Sequence, residues 1–163
     1  MKRIRRLVLP LVLLVSFVFG ALHAAAAEGL ELLGTVVDGS VLTNETEAED
    51  TVYPRLRGSF LSSGSGHIVI AGTRKVTVSG NTSAYQNVDQ ITVTLHLQQL
   101  KNGSWVTVTT LGPRTKYGGH YVSNSRTYSV DGGYYYRVTG GHTAIKGGKP
   151  ESITSATNAL WVP

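Results

Sequence analysis

Beyond residue 57 the chain consists of short β-rich runs that are separated by turn-forming Gly, Asn, Ser and Asp residues. Apolar and polar residues alternate in several runs, and no amphipathic helix pattern follows residue 27. Such spacing is typical of a sandwich or a barrel, so we predict an all-β domain. The segments that we interpret as strands are 57–61, 67–71, 75–82, 91–100, 105–111, 126–130, 134–140 and 152–162.

The clearest alternation covers residues 91–97, where every second residue is apolar and the set lies on one face of a strand. The Asn-Gly pair at 102–103 follows, and both residue types tolerate the positive φ values of a type I′ hairpin loop. We therefore predict a hairpin in which Trp105 packs across the strands and is not a ligand platform. Counted outward from the turn, the facing pairs are Leu100 with Trp105 and Leu97 with Val108.

A tyrosine-rich segment precedes a late strand. Residues 131–138 (DGGYYYRV) resemble the corner of immunoglobulin-like and fibronectin-like sandwiches, in which a Tyr hydroxyl bonds to the backbone and pins the turn. The D-x-G-x-Y spacing points to Tyr135, whereas alternation puts Tyr134, Tyr136 and Val138 on the buried face and favours Tyr134 or Tyr136. The resemblance implies a single immunoglobulin-like antiparallel β-sandwich of about seven to eight strands.

The first residues have the three zones of a secretory signal peptide. Basic residues within 2–6 precede an apolar run over 7–22, and the small residues 24–27 provide an A-x-A cleavage site. We predict a signal peptide over 1–27, cleaved after Ala27, and a secreted protein. The alternative is an uncleaved anchor of about 20 residues. His23 interrupts that span and nothing basic follows it, so we expect no stable membrane span in the mature protein.

Charge divides the remaining chain into two parts. The formal net charge is +5, but four of the basic residues lie in the predicted signal. Seven acidic residues and no Lys or Arg occupy 28–52, whereas 53–163 holds 11 basic and three acidic residues. We predict a flexible, partly disordered acidic arm over 28–56, with 30–37 as a candidate edge strand, before a β-domain over 57–163. The opposite charges further predict that the arm lies intermittently over the basic surface of the domain.

The sequence carries no recognisable catalytic, metal or nucleotide motif. Cysteine is absent, which rules out disulfides, thiolate metal sites and cysteine nucleophiles. There is no G-x-S-x-G elbow, no phosphate-binding glycine loop that opens a helix and no H-E-x-x-H. The histidines at 67, 96, 120 and 142 are isolated along the chain. We expect a non-catalytic domain that binds no cofactor, no metal and no nucleic acid.

Five segments together resemble a known family. They are GTVVDGSVL at 34–42, SFLSSGSGHI at 59–68, LQQLKNGSWVTV at 97–108, SRTYSVDGGYYYRVTGGH at 125–142 and ESITSATNALWV at 151–162. They are similar to a group of small secreted proteins of Gram-positive bacteria known only as a domain of unknown function. This resemblance implies an exported bacterial β protein and assigns no catalytic or binding residue.

Topology suggests one candidate ligand surface. If the strands from residue 75 onward run alternately up and down, the connections 83–90, 112–125 and 141–151 lie at the same end of the domain. Basic and tyrosine side chains gathered there suit an anionic or sugar-bearing ligand. We call this surface the predicted pole, and its ligand candidates are Tyr85, Arg114, Lys116, Tyr117, His120, Tyr121, His142, Lys146 and Lys149.

The leading functional hypothesis is a secreted binding domain whose partner is an anionic cell-envelope polymer or a glycan. One alternative is a secreted antibacterial or competition factor, because a small basic exported domain suits that role. The other alternative is a hydrolase with an unrecognised site. The identity of the ligand and the oligomeric state are not encoded in a legible motif.

Overall fold

The computed structural model describes residues 30–55 and 60–163, and within them the chain forms nine strands. The all-β prediction is confirmed. The predicted signal peptide over 1–27 and its cleavage site at Ala27 lie outside the described residues, as does the predicted domain boundary at 56–57. The strands are β1 Val36–Val37, β2 Ser40–Thr43, β3 Glu47–Val52, β4 Leu61–Gly72, β5 Lys75–Lys101, β6 Ser104–Ser129, β7 Tyr134–Lys146, β8 Lys149–Ala156 and β9 Ala159–Val162.

Strands β5 and β6 form one long antiparallel hairpin that dominates the fold. It pairs Lys75 with Ser129 at its open end and Lys101 with Ser104 at its turn. Segments 75–82 and 91–100, which the sequence suggested as two strands, both belong to β5, and 105–111 and residues 126–129 of the predicted strand 126–130 both belong to β6. The pairing continues through register shifts, so 83–90 and 112–125 are strand and not the loops that we predicted.

Strand β5 connects two halves of a single nine-stranded sheet. Its first half pairs with β4 and with the last part of β6, and β3 flanks β4. Its second half pairs with the first part of β6 and with β7, which in turn pairs with β8 and β9. Strand β2 adds to β9 in parallel, and β1 pairs with β2. Hydrogen bonding is therefore continuous, and the two separate sheets of an immunoglobulin-like sandwich are not confirmed.

The sheet curls so that the inner faces of its two halves enclose the main core. Val76 and Val78 of the first half belong to the same buried cluster as Leu95 and Leu97 of the second half. Gly66 shows how closely the halves approach, because a Cβ at this position would lie 3.5 Å from Val138 on β7. Each fully buried aliphatic side chain contributes about 1.5–3 kcal/mol relative to an exposed one, so this cluster is the main source of stability.

The acidic arm is part of the sheet. Strand β3 runs antiparallel to β4 from Glu47, opposite Val69, to Val52, opposite Gly64. Strand β2 is tied to β9, and Leu42 is completely buried in a second core cluster. The prediction of a partly disordered arm over 28–56 is therefore wrong for the strands in this segment. Pattern analysis missed them because the acidic side chains of β3 lie at an exposed edge, where charge is compatible with a strand.

The predicted hairpin turn is confirmed, with one register correction. Asn102 and Gly103 have φ values of 51° and 74°, as a type I′ loop requires. Leu100 faces Trp105 as predicted, but Leu97 faces Thr109 and not Val108. A register shift between Leu97 and Gln98 moves the pairing by one residue, and a bulge of this kind leaves no trace in the alternation. Trp105 packs partly buried against the second core cluster, as expected for a packing residue.

The hydroxyl-to-backbone bond that was expected of a tyrosine in this segment is made by Tyr136. Its hydroxyl donates to the carbonyl of Asp131 at 2.8 Å and accepts from Nε2 of Gln99 at 2.7 Å. Burial, with a smaller contribution from the Asp131 charge, raises the pKa of Tyr136 to about 12. The prediction that only alternate residues of this strand are buried is wrong, because Tyr135 and Arg137 are also buried, on the opposite face.

The N-terminal strands cover that opposite face. The Arg137 guanidinium donates to the carbonyl of Asp38 at 2.8 Å and to its carboxylate at 2.9 Å, and it lies 4.3 Å from the Trp105 ring. It also donates to Oγ of Ser40 at 3.0 Å. A charged side chain is stable in a buried position when its donors are satisfied in this way. Residues 36–43 therefore complete the domain by capping Tyr135 and Arg137.

Candidate functional site

A polar groove lies on the outer face of the first half of the sheet, with a volume of about 480 Å³. Its floor comes from alternate residues of three neighbouring strands. Ser65 of β4 faces Asn81 of β5, which faces Ser123 of β6. The intervening residues turn inward, as Val78 and Val122 do, so the alternation leaves polar groups on the outer face. Ser79 and Ser125 belong to the same outer face, and the intervening Gly80 and Asn124 also line the groove.

One end of the groove combines a carboxylate with an imidazole. Glu49 and His67 occupy facing positions on β3 and β4 and both line the cavity. Nδ1 of His67 lies 3.4 Å from Oγ of Ser79, and its Nε2 lies 3.6 Å from a Glu47 carboxylate oxygen. Thr51 donates to the Glu49 carboxylate at 3.1 Å. This end is held by contacts within the protein and carries negative charge.

The other end of the groove is cationic. Arg114 and Tyr121 line the main cavity and, with Lys116, an adjoining cavity of about 320 Å³. Within the described residues, the side chains of Arg114 and Lys116 make no hydrogen bond and no ion pair, and Tyr121 is 45% exposed. We call Arg114, Lys116 and Tyr121 the cationic end. These three members of the predicted pole come together because β6 bends where it passes from one half of the sheet to the other.

A second group from the predicted pole lies at the bend but does not line the groove. Nδ1 of His120 lies 3.1 Å from Oδ1 of Asn87, and Lys146 donates to the carbonyl of Asn87 at 3.3 Å. These bonds join the three strands β5, β6 and β7. Tyr85 and Tyr117 are 73% and 74% exposed nearby, and Lys149 faces Lys146 across the turn between β7 and β8. The prediction that these connections share one end is therefore correct in part, although most of the chain there is strand.

The placement of His142 at the predicted pole is wrong, because this residue is completely buried. It points inward from β7 because it follows Val138 and Gly140 at alternate positions on the core face. Its Nδ1 lies 3.0 Å from Oγ1 of Thr82, and its Nε2 lies 2.9 Å from Oγ of Ser155. Oγ1 of Thr82 donates to the carbonyl of Thr92, so it accepts from Nδ1–H, and Ser155 donates to Nε2.

The buried surroundings of His142 favour its neutral form. Desolvation by burial, partly opposed by the bond to the Asn81 backbone and by the charge of Asp50, lowers the pKa of His142 to about 4. A Cβ on Gly64 would overlap the imidazole ring, and one on Gly140 would lie 2.6 Å from its Nε2. The Ser155–His142 pair is thus buried within the core.

In the part of the chain that the structure describes, no three His, Asp or Glu side chains are grouped so as to bind a metal ion. The same part contains no helix that is long and apolar enough to cross a membrane.

Sequence reasoning missed the floor of the groove and its acidic end. The relevant signal was present as polar residues at every second position, in Ser65 and His67, in Ser79 and Asn81, and in Ser123 and Ser125. Each pair alone resembles an ordinary exposed strand face. Only the pairing of three strands side by side makes these residues the floor of one groove.

Fold and groove define an all-β domain of one curled sheet, with a polar groove that runs from an acidic end to a cationic end. The chain belongs to a family of unknown function, DUF6147, whose model matches residues 23–160. The resemblance to a domain of unknown function is therefore confirmed. No curated protein matches the chain.

Among solved structures, the chain is similar to the sporulation control protein Spo0M from Bacillus subtilis, with 13% sequence identity and a TM-score of 0.34. The similarity covers 72% of this chain and 49% of that protein. The chain thus spans about half the length of this structural neighbour.

Proposed function

We propose that this domain is a secreted, non-catalytic binding module that holds an anionic, hydroxyl-rich polymer along the polar groove. The observation that carries the proposal is the cationic end, where Arg114 and Lys116 have no partner within the described residues and open onto a floor of hydroxyl and amide groups. Export is inferred from the predicted signal peptide over residues 1–27.

The charges of the groove favour one orientation of the ligand. A carboxylate or phosphate group binds at Arg114, because a guanidinium offers paired donors that match two anionic oxygens. The acidic end repels such a group and favours neutral hydroxyls over Glu49 and His67. The Tyr121 ring is exposed beside Arg114 and provides an apolar face for a sugar ring or a polyol carbon chain.

The floor provides the remaining contacts. Ser and Asn side chains both donate and accept hydrogen bonds, so they match the hydroxyl groups of a sugar or polyol in either direction. Asn81 is oriented by the hydrogen bond that its Nδ2 donates to Oγ of Ser65 at 2.6 Å. The groove is open along its length, and this suits a chain that extends beyond the protein.

The test measures binding of the mature protein to poly(glycerol phosphate) and to polygalacturonate, with dextran as the neutral polymer. The two polyanions distinguish a phosphate source of the anion from a carboxylate source. We expect binding to at least one polyanion that weakens as salt rises, because exposed charges are screened beyond a Debye length of about 8 Å at physiological ionic strength. Arg114→Gln should weaken this binding about tenfold.

Two further variants make the test specific. Arg126→Gln removes the same charge from an exposed position on β6 that does not line the groove, and it should leave the affinity within about twofold. Ser123→Leu leaves the charge unchanged but fills the floor, and it should abolish binding. Equal losses in the two arginine variants, or no binding to either polyanion, would refute the proposal.

A further inference from the structure

The polar groove crosses the strands of the sheet. In the first half of the sheet the strands lie in the order β6, β5, β4, β3, and all of them contribute lining residues. One row of facing residues runs across the groove, from Ser125 through Ser79 and His67 to Glu49. Neighbouring strands lie about 4.8 Å apart, so this row is about 14 Å long.

Groups of opposite charge lie at the two sides of this row. The adjoining cavity that Arg114 and Lys116 line is formed by β6 residues alone, so the cationic end lies on the β6 side. Glu49 belongs to β3, on the opposite side. Among the described residues that line the main groove, Arg114 is the only Lys or Arg and Glu49 is the only Asp or Glu. The groove therefore has one position that attracts an anion and one that repels it.

The floor between the two sides offers hydrogen bonds without a Lys or Arg. Ser79 and Ser125 belong to the row described above, and Asn81 faces Ser123 in the next row. Their hydroxyl and amide groups donate to and accept from the hydroxyls of a sugar or polyol. The middle of the groove thus fits an uncharged stretch of ligand.

Negative charge is concentrated on the β3 side. The Glu49 carboxylate accepts a hydrogen bond from Thr51 at 3.1 Å, and a Glu47 carboxylate oxygen lies 3.6 Å from Nε2 of His67. Exposed charges are screened beyond a Debye length of about 8 Å at physiological ionic strength. An anion held at Arg114 is therefore too distant to be repelled by Glu49, whereas a second anion about 14 Å further along the groove contacts it directly.

We propose that the groove selects a chain in which one anionic group is followed by about 14 Å of uncharged sugar or polyol, and that Glu49 rejects a second anion. This inference rests on the proposed function, because it requires the first anion to bind at Arg114. A chain with an anion on every unit places one of them against Glu49 when another is held at Arg114. The preferred ligand is therefore a chain end or a sparsely charged stretch of polymer.

The experiment titrates the mature protein with forms of the galacturonic acid trimer, followed by NMR at physiological ionic strength. One form has every carboxylate free, two forms keep only one terminal carboxylate with the others as methyl esters, and the last is fully esterified. Maltotriose with one terminal phosphate supplies the single anion from a phosphate source. We expect a single-anion trimer to bind more tightly than the esterified one, and Glu49→Gln to leave its affinity within about twofold. The same variant should raise the affinity for the fully charged trimer about fivefold, because a contact between like charges is removed.

Glu45→Gln is the matched control, because it removes the same charge from an exposed position before β3 that does not line the groove. It should leave both affinities unchanged. If Glu49→Gln acts equally on single-anion and fully charged trimers, or on neither, selection by Glu49 is wrong although the groove still binds anions. Binding of polyanions without binding of any single-anion trimer would also overturn the inference. Loss of binding to every probe, poly(glycerol phosphate) and polygalacturonate included, contradicts the proposed function itself.

Discussion

Mild acid should destabilise this protein through His142. The buried imidazole has a pKa of about 4 in the folded state, whereas an unfolded chain restores a value near 6.5. Between these values the unfolded state binds more protons than the folded state, so the free energy of unfolding rises with pH across this window. The stability is fully present above about pH 6.5 and is lost progressively as the pH falls to about 4.

The size of the effect follows from the shift in pKa. The full difference corresponds to about 3 kcal/mol, and about 2 kcal/mol of it should be lost between pH 7.5 and pH 5. Such a change is a large fraction of the stability of a small domain, which is about 5–15 kcal/mol. The negative charge of Asp50 partly opposes the lowering of the His142 pKa. The Asp50 carboxylate accepts a hydrogen bond from the Ala156 amide at 2.8 Å.

The assay is urea unfolding at a series of pH values between about 4 and 8, for wild type, His142→Gln and His96→Gln. His142→Gln removes the titrating group but keeps an amide that bonds to Thr82 or Ser155, so its stability should vary less with pH in this window. His96→Gln changes a histidine on the outer face of β5 and should keep the wild-type profile. Identical pH profiles for wild type and His142→Gln would refute the reasoning, whatever their absolute stabilities.

Three further predictions concern positions where the packing is specific. Gly103→Val should lower the melting temperature, because a β-branched residue at a φ of 74° costs about 1–3 kcal/mol of stability. An unchanged melting temperature would contradict the turn geometry. Gly64→Ala should destabilise the protein by displacing the His142 ring, which thermal unfolding measures against Gly141→Ala on β7, where the nearest atom to an added Cβ is the Thr94 carbonyl oxygen at 3.9 Å. Tyr135→Phe should be neutral or stabilising, because the Tyr135 hydroxyl is buried without a hydrogen-bond partner in the described chain. Tyr136→Phe should lower the free energy of unfolding by about 1–3 kcal/mol, because the Tyr136 hydroxyl makes two hydrogen bonds. A larger loss for Tyr135→Phe than for Tyr136→Phe in chemical unfolding would reverse this assignment.

Local sequence alone determined the β class, the Asn102-Gly103 turn and a tyrosine at position 134 or 136 whose hydroxyl bonds to the backbone. These features depend on backbone preferences and side-chain alternation within a few residues, and both can be read from consecutive positions. Arg114, Lys116 and Tyr121 became ligand candidates because an assumed up-and-down order of the strands placed their connections at one end of the domain.

Tertiary structure decided the features that depend on which strands become neighbours. Bulges allowed β5 and β6 to continue through segments 83–90 and 112–125, and no local pattern marks a register shift. His142 became buried because β4 and the neighbouring β8 cover it, and β8 supplies Ser155 as its partner. Arg137 became buried because residues 36–43, far away in sequence, cover it, and Asp38 between β1 and β2 is its partner. The groove likewise exists only because neighbouring strands align their polar faces, so its lining comes from β3, β4, β5 and β6 together and from none of them alone.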